Sequence, residues 1–188
     1  MTMNDEITTL STQEIYRNRW MSLKEDRIRR ADGSEGIYSV IEKGDFVVIV
    51  PVQDDEIFVV EQFRYPLGVR TLELPQGSWE MSPSAAPEEV AAGELREETG
   101  LIAQKLEFVG YQKLAQGYST QGYHIYLASQ LTFAGQQLDD EEYGLTVKRM
   151  KMDEFKSLIL EGKITDATSV TAFLLASEKM RSPSISGA

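Results

Sequence analysis

Apolar residues in this chain gather into short β-branched and aromatic runs separated by polar turns, most clearly at residues 46–50 (FVVIV) and 57–60 (IFVV). Such runs predict strands, and their lack of strict alternation predicts strands covered on both faces. Asp54-Asp55-Glu56 between them predicts a tight acidic turn. A shorter strand is expected over 71–74, ending at Pro75 and followed by Gln76-Gly77, with further strands over 106–109, 123–128 and 145–150. Residues 13–41 predict short strands broken by Ala31-Asp32-Gly33-Ser34, where Asp-Gly favours a hairpin.

Three segments predict helices. Pro87 suits a first helical turn, Glu88 and Glu89 complement the dipole there, and Gly100 supplies a stop, so a helix is expected over 87–99 with Gly93 as its weak point. The others fall at 152–160 and 167–180. Strands interleaved with helices imply an α/β fold, an α/β/α sandwich with a mixed sheet. The expected divisions are a small N-terminal β element at 1–43 whose first ten or so residues fray, a main domain at 44–180, and a flexible tail at 181–188.

Composition narrows the chemistry. A formal net charge of −11 argues against binding nucleic-acid backbones, which requires a basic surface. The chain has no cysteine and one histidine, His124, which excludes disulfides, thiol nucleophiles, iron–sulfur clusters and multi-histidine zinc sites. Any bound metal must therefore be hard and held by oxygen. No run reaches the roughly 18 apolar residues of a membrane span, and residues 1–9 are polar, so a cytoplasmic protein without membrane association is expected. His124, between Tyr123 and Ile125 in an expected strand, reads as structural.

The most informative stretch is GSWEMSPSAAPEEVAAGELREETGL, from Gly77 to Leu101. On a helix, Glu94, Glu97 and Glu98 stand at i, i+3 and i+4, which stacks three carboxylates on one face where they repel unless a cation lies between them. Either that face is simply solvated, or it holds a hard divalent cation that keeps coordination sites for water and phosphate.

The glycine-containing loop, the Pro-started helix and the run Gly93-Glu94-Leu95-Arg96-Glu97-Glu98-Thr99-Gly100-Leu101 resemble the Nudix box of the Nudix hydrolase family. That pattern ends in Arg-Glu-apolar-any-Glu-Glu-any-Gly-apolar, so the three glutamates, the glycine and both apolar positions match. Three departures stand out. Gly93 replaces the arginine, the loop after Gly77 is two residues longer, and no glutamate occupies the first glutamate position, although Glu80 is nearby. Glu61-Gln62-Phe63-Arg64-Tyr65-Pro66, Leu72-Glu73-Leu74-Pro75-Gln76-Gly77 and Gly162-Lys163-Ile164-Thr165-Asp166-Ala167-Thr168 resemble segments of the ADP-ribose and nucleotide-sugar pyrophosphatase branch.

That resemblance implies a Nudix-type sandwich and a pyrophosphohydrolase. The enzyme would cleave the diphosphate of ADP-ribose or a nucleotide sugar, with Mg²⁺ or alternatively Mn²⁺ as cofactor. The implied metal ligands are the Gln76 carbonyl, Glu94, Glu97 and Glu98. Glu94 and Glu97 double as alternative bases to an acid in the run Asp139-Asp140-Glu141-Glu142, of which Glu142 is the catalytic candidate. Arg64 is the candidate phosphate contact. Tyr118 and Trp20 are candidate substrate contacts, although Trp20 also suits the core or a dimer contact. Asp166 or Thr165 would cap the last helix. Gln121, where the branch often has a glutamate, weakens strict ADP-ribose specificity. The N-terminal element resembles one that mediates homodimers. The competing reading is a binding or regulatory module that kept the fold and lost turnover.

Overall fold

The computed structural model describes residues 6–79, 84–136 and 143–182. They divide into two compact units. One holds the chain through Asp45 together with residues 113–122, and the other holds residues 46–79, 84–112 and 123 onward.

The first unit is a three-stranded antiparallel sheet of β1 (Ile7–Arg17), β2 (Ser22–Arg30) and β3 (Glu35–Glu42), with β2 in the middle. The β2–β3 hairpin turns at the predicted Asp-Gly pair. Asp32 accepts a hydrogen bond from the Ser34 N–H at 2.9 Å, and Gly33 takes a φ of 85°. Strand order reaches back to Ile7, within the stretch expected to fray, because β1 pairs with β2 from Ile7↔Arg30 onward. Backbone pairing supplies that order where side-chain burial does not, since every residue of β1 is exposed.

The second unit is built on β4 (Phe46–Gln53), β5 (Glu56–Arg64), β6 (Val69–Glu73), the short β7 (Gln76–Gly77), β8 (Leu101–Lys113), β9 (Gly122–Phe133) and β10 (Thr146–Lys151). The helices are α1 (Pro87–Thr99), α2 (Met152–Leu160) and α3 (Ala167–Arg181). The sheet runs β10-β5-β4-β9-β8, with β6 on β5 and β7 on β4. It is mixed, since β4 and β9 are parallel while β5 pairs antiparallel with β4, β6 and β10.

Alternation along β4 builds the sandwich. Val48 and Val50 join Ile125, Leu127, Phe155, Ile164 and Phe173 in a core under α2 and α3. Val47 and Ile49 face the other way and join Val90, Ala91 and Leu95 of α1. A strand read on both faces has no polar side, which is why FVVIV shows no alternation. The β4–β5 hairpin closes through Asp54 and Asp55 with φ of 51° and 63°, the paired left-handed conformation of a two-residue hairpin. Strands β8 and β9 are longer than their apolar patterns suggested, because pairing continues past the buried segments into exposed polar positions. His124 lies in β9 beside the Tyr111 ring, at 4.9 Å between centroids. No helix of the described residues is long and apolar enough to cross a membrane.

Phe155 is fully buried against Phe173, with ring centroids 5.0 Å apart. Phe155→Ala should cost about 3–5 kcal/mol of unfolding free energy, from lost transfer energy plus a cavity. Urea denaturation checks this, and a loss below about 1 kcal/mol would mean that α2 does not close the core.

Candidate functional site

Helix α1 carries the three box glutamates, and its packing separates them. Val90, Ala91 and Leu95 point into the core, which turns the neighbouring Glu94 and Glu98 inward as well, at 5 % and 2 % exposure. Glu97 remains half-buried, and Arg96 is exposed on another face. Glu89 reaches back to accept the Ala86 N–H at 3.2 Å, and Gly100 closes the far end with a φ of 72°.

Facing these carboxylates is the turn after β6. Backbone pairing with β4 (Val48↔Gln76, Val47↔Gly77) and a bond from the Ile49 N–H to the Pro75 carbonyl at 2.9 Å hold the turn in place. From there the Gln76 N–H donates to Glu98 Oε2 at 3.0 Å. Gly77 lies so close to Glu94 that a Cβ would come 2.4 Å from Oε2, so a side chain there would displace the carboxylate. Two residues on, Trp79 lies on Gly93, where a Cβ would come 2.0 Å from Cζ2 of the indole.

A second layer of polar groups fixes the turn from behind. Glu73, 3 % exposed, accepts from Arg64 Nε at 2.9 Å, from a second Arg64 nitrogen, from the Thr71 hydroxyl, and from Gln76 Nε2 at 2.8 Å. The Gln76 amide also reaches Asp166 Oδ2 at 3.3 Å, and its Oε1 lies 2.9 Å from the Thr168 hydroxyl. Asp166 caps α3 by accepting the Ser169 N–H at 2.9 Å. The Ser169 hydroxyl bonds Asp166 at 2.6 Å and accepts the Leu74 N–H at 2.8 Å, which ties the helix start to the strand.

This network sets the local electrostatics. Burial works against the charged form of Asp166, but bonds from the Ser169 and Thr168 hydroxyls, the Ser169 N–H and Gln76 outweigh it and hold the carboxyl below its ordinary value. Hydrogen bonding to Glu73 pushes the Arg64 guanidinium further up, so Arg64 is charged throughout.

The expected site residues are only partly brought together. Gln76, Glu94 and Glu98 meet at the α1–β7 contact, whereas Glu97, half-buried on α1, is not brought into it. Arg64 is linked to that contact through Glu73. Its bidentate edge is thus spent on a carboxylate of this chain. Trp20 and Tyr118 belong to the first unit. Trp20 is 41 % exposed, so of the places its sequence context suits the core is the one it does not occupy, and it sits under the Arg19 guanidinium at 4.1 Å beside a depression of about 340 Å³. Tyr118 is 58 % exposed, and its carbonyl accepts the Ile41 N–H at 2.8 Å. Gln121 is buried and donates to the Gly44 carbonyl at 2.7 Å. Glu142 and its acidic neighbours from Asp139, together with Glu80, lie outside the described residues.

Comparison with known proteins decides the family. A profile described as "NUDIX domain" matches residues 43–173, and one described as "Nucleoside diphosphate sugar hydrolase N-terminal domain" matches residues 7–41. The chain belongs to the Nudix hydrolase family. It falls in the ADP-ribose pyrophosphatase-like part of that family. The ADP-ribose pyrophosphatase of Mycobacterium tuberculosis is 29 % identical over 171 residues, covering 90 % of this chain and 82 % of that protein. A methanol dehydrogenase activator of Bacillus methanolicus is 28 % identical over 172 residues, covering 89 % and 90 %. A crystal structure of an ADP compounds hydrolase superposes with a TM-score of 0.85 at 22 % identity, covering 96 % of this chain and 97 % of the other, which establishes the shared Nudix fold.

Two further residues hold this Nudix site, and each has a fainter signal in the sequence than the box. For Glu73 it is a carboxylate between Leu72 and Leu74 in a short apolar run, which signals a buried charge with a partner. For Trp79 it is the glycine in mid-helix, which signals close approach of another group.

Because its folded-state pKa is depressed, Asp166 contributes stability above its unfolded value, and that contribution is lost as pH falls below about 4. Asp166→Asn should therefore cost about 1 kcal/mol near neutral pH and progressively less in acid. Urea denaturation from neutral pH down to about pH 2.5 reads this, and a cost that does not change with pH would refute the assignment.

Proposed function

We propose that this Nudix chain hydrolyses the diphosphate of ADP-ribose or a related nucleoside-diphosphate sugar, giving a nucleoside monophosphate and a sugar phosphate. The observation that carries the reading is the pair of buried carboxylates, Glu94 and Glu98, set against the Gln76–Gly77 turn. Burying two like charges one helical turn apart is costly, and a cation offsets that cost. The donors available are all oxygen, which suits a hard divalent ion such as Mg²⁺ or Mn²⁺. Among the described residues no three acidic or histidine side chains form a ready-made cluster, and the groups already together are Glu94, Glu98 and the backbone of the turn.

Glu94, Glu97, Glu98 and the Gln76 carbonyl are the residues proposed to hold it. When bound, the ion would neutralise charge on the diphosphate oxygens. The remaining work falls to the chain. Water adds to one phosphorus, the bridging P–O bond breaks, and the bridging oxygen leaves on the second phosphate. A carboxylate must take the proton from that water. Glu97, the one box carboxylate that is only half-buried, and Glu142 are the candidates. Arg64 is proposed to lend charge to a phosphate while Glu73 orients it, and Trp20 and Tyr118 are retained as proposed contacts to the nucleoside or sugar.

The second reading is a binding or regulatory module without turnover. It is favoured by Gly93 in place of the box arginine and by similarity to a protein named as a methanol dehydrogenase activator. Release of nucleoside monophosphate from ADP-ribose and from ADP-, UDP- and GDP-sugars, with Mg²⁺, Mn²⁺ or EDTA, separates the two. Turnover should be abolished by EDTA and reduced about a hundredfold or more by Glu98→Gln, comparable to losing one group that stabilises transition-state charge. Ligand-induced rise in melting temperature with no release of monophosphate in any metal would favour the module.

We also propose a cytoplasmic homodimer assembled through the first unit. All of β1 is exposed, and Ile7, Leu10, Ile15 and Tyr16 lie along it, an edge and a surface that a partner copy would cover. Sedimentation should return twice the chain mass. Ile15→Asp with Tyr16→Ser should shift it towards the monomer, and an unchanged monomeric mass for the parent protein would dispose of the dimer.

A further inference from the structure

The stretch from Gln76 to Trp79 meets α1 at three points, and only two of them involve the glutamates. The Gln76 N–H bonds Glu98, the Gly77 Cα abuts the Glu94 carboxylate, and the Trp79 indole rests on Gly93. Gly93 precedes Glu94 directly and stands four residues before Glu97, so the indole covers the turn of helix that leads into all three carboxylates.

The contact is close and broad. A Cβ on Gly93 would come 2.0 Å from Cζ2, 2.8 Å from Cη2 and 3.1 Å from Cε2 of the ring. Trp79 and Ala85 also pack on the core that contains Val90, Ala91 and Leu95. Counting along the box pattern, Gly93 occupies the arginine position and Ala85 the first glutamate position. The chain has therefore lost both charged groups there, and an aromatic ring lies against the glycine that replaced the arginine. A planar ring against bare backbone gives a fixed separation through hard-core contact, unlike a long charged side chain.

We infer that Trp79 is a positioning residue, an apolar clamp that sets the spacing between the Gln76–Gly77 backbone and Glu94 and Glu98, and thereby the affinity of that group of oxygens for a divalent ion. The inference rests on the hydrolase reading above and deepens it. A clamp acts on the strength of ion binding, whereas a residue that merely fills the core acts on stability alone.

Four variants separate these roles: Trp79→Ala removes the ring, Trp79→Phe keeps an aromatic ring, Gly93→Ala drives a methyl into the indole, and Val90→Ala thins the same core away from the indole. Each is titrated with Mn²⁺, with two readouts: the metal-induced rise in melting temperature without substrate, and the metal concentration giving half-maximal turnover.

For Trp79→Ala and Gly93→Ala the half-maximal concentration should rise about tenfold, the scale for groups that orient metal ligands, and the melting-temperature rise should shrink. Trp79→Phe, which lacks the outer ring that touches Gly93, should move the half-maximal concentration in the same direction as Trp79→Ala but by less, and Val90→Ala should melt earlier with an unchanged metal dependence. If Trp79→Ala behaves like Val90→Ala, the clamp is overturned while the hydrolase reading stands. Should Trp79→Ala fail to fold, Gly93→Ala and Trp79→Phe decide by the same criteria. A parent protein with neither turnover nor a metal-induced rise removes the hydrolase reading and the clamp together.

Discussion

Two carboxylates of one sign, Glu94 and Glu98, lie almost fully buried one helical turn apart, and the surrounding architecture answers that arrangement. Left in an apolar interior they would repel each other and lose their hydration. The chain brings backbone to them instead. The Gln76 N–H bonds Glu98, and Gly77 permits close approach to Glu94 because it has no side chain. A turn that must present backbone at such short range needs its own restraints. β4 supplies one through strand pairing, and the Glu73–Gln76–Asp166 network supplies another through side chains.

That network also joins elements far apart in sequence. Asp166 both caps α3 and meets the Gln76 amide, so the start of the last helix and the turn after β6 share one half-buried carboxylate. Arg64 comes from β5 and Glu73 from β6, neighbouring strands in which Arg64 pairs with Val69 and Glu73 with Val60, so the guanidinium reaches Glu73 diagonally rather than across the pair. The stability of the sandwich and the geometry of its acidic face are consequently coupled. Asp166 links the cap of α3 to Gln76 directly by hydrogen bonds.

Departures from the box pattern acquire a physical meaning in this setting. A glycine in mid-helix costs about 1 kcal/mol in propensity relative to alanine. At position 93 that cost is offset by contact with Trp79, and alanine would not fit. The indole thus lies against the position where the box pattern has an arginine. Gln121 has a comparable explanation, because its buried amide holds the Gly44 carbonyl.

Much was legible in the chain itself. Helix α1 and helix α2 fall where Pro87, Gly100 and the apolar spacing placed them, since caps and periodicity act over a few residues. The two-sided burial of β4 followed from an apolar run without alternation, and the box identified the family before any coordinates. What needed tertiary structure was every relation between distant segments. Whether Glu94, Glu97 or Glu98 turns inward depends on which face of α1 the sheet covers. That Glu73 engages Arg64 depends on strand register, and the same spacing is compatible with a free arginine. The sequence around Trp20 suits the core or a dimer contact and also a ligand contact, and its exposure depends on the folded first unit. Local sequence determines backbone preference and chemical type, whereas burial and partnership are properties of contacts made across the whole chain, and these decide which of its charged groups are structural and which can act.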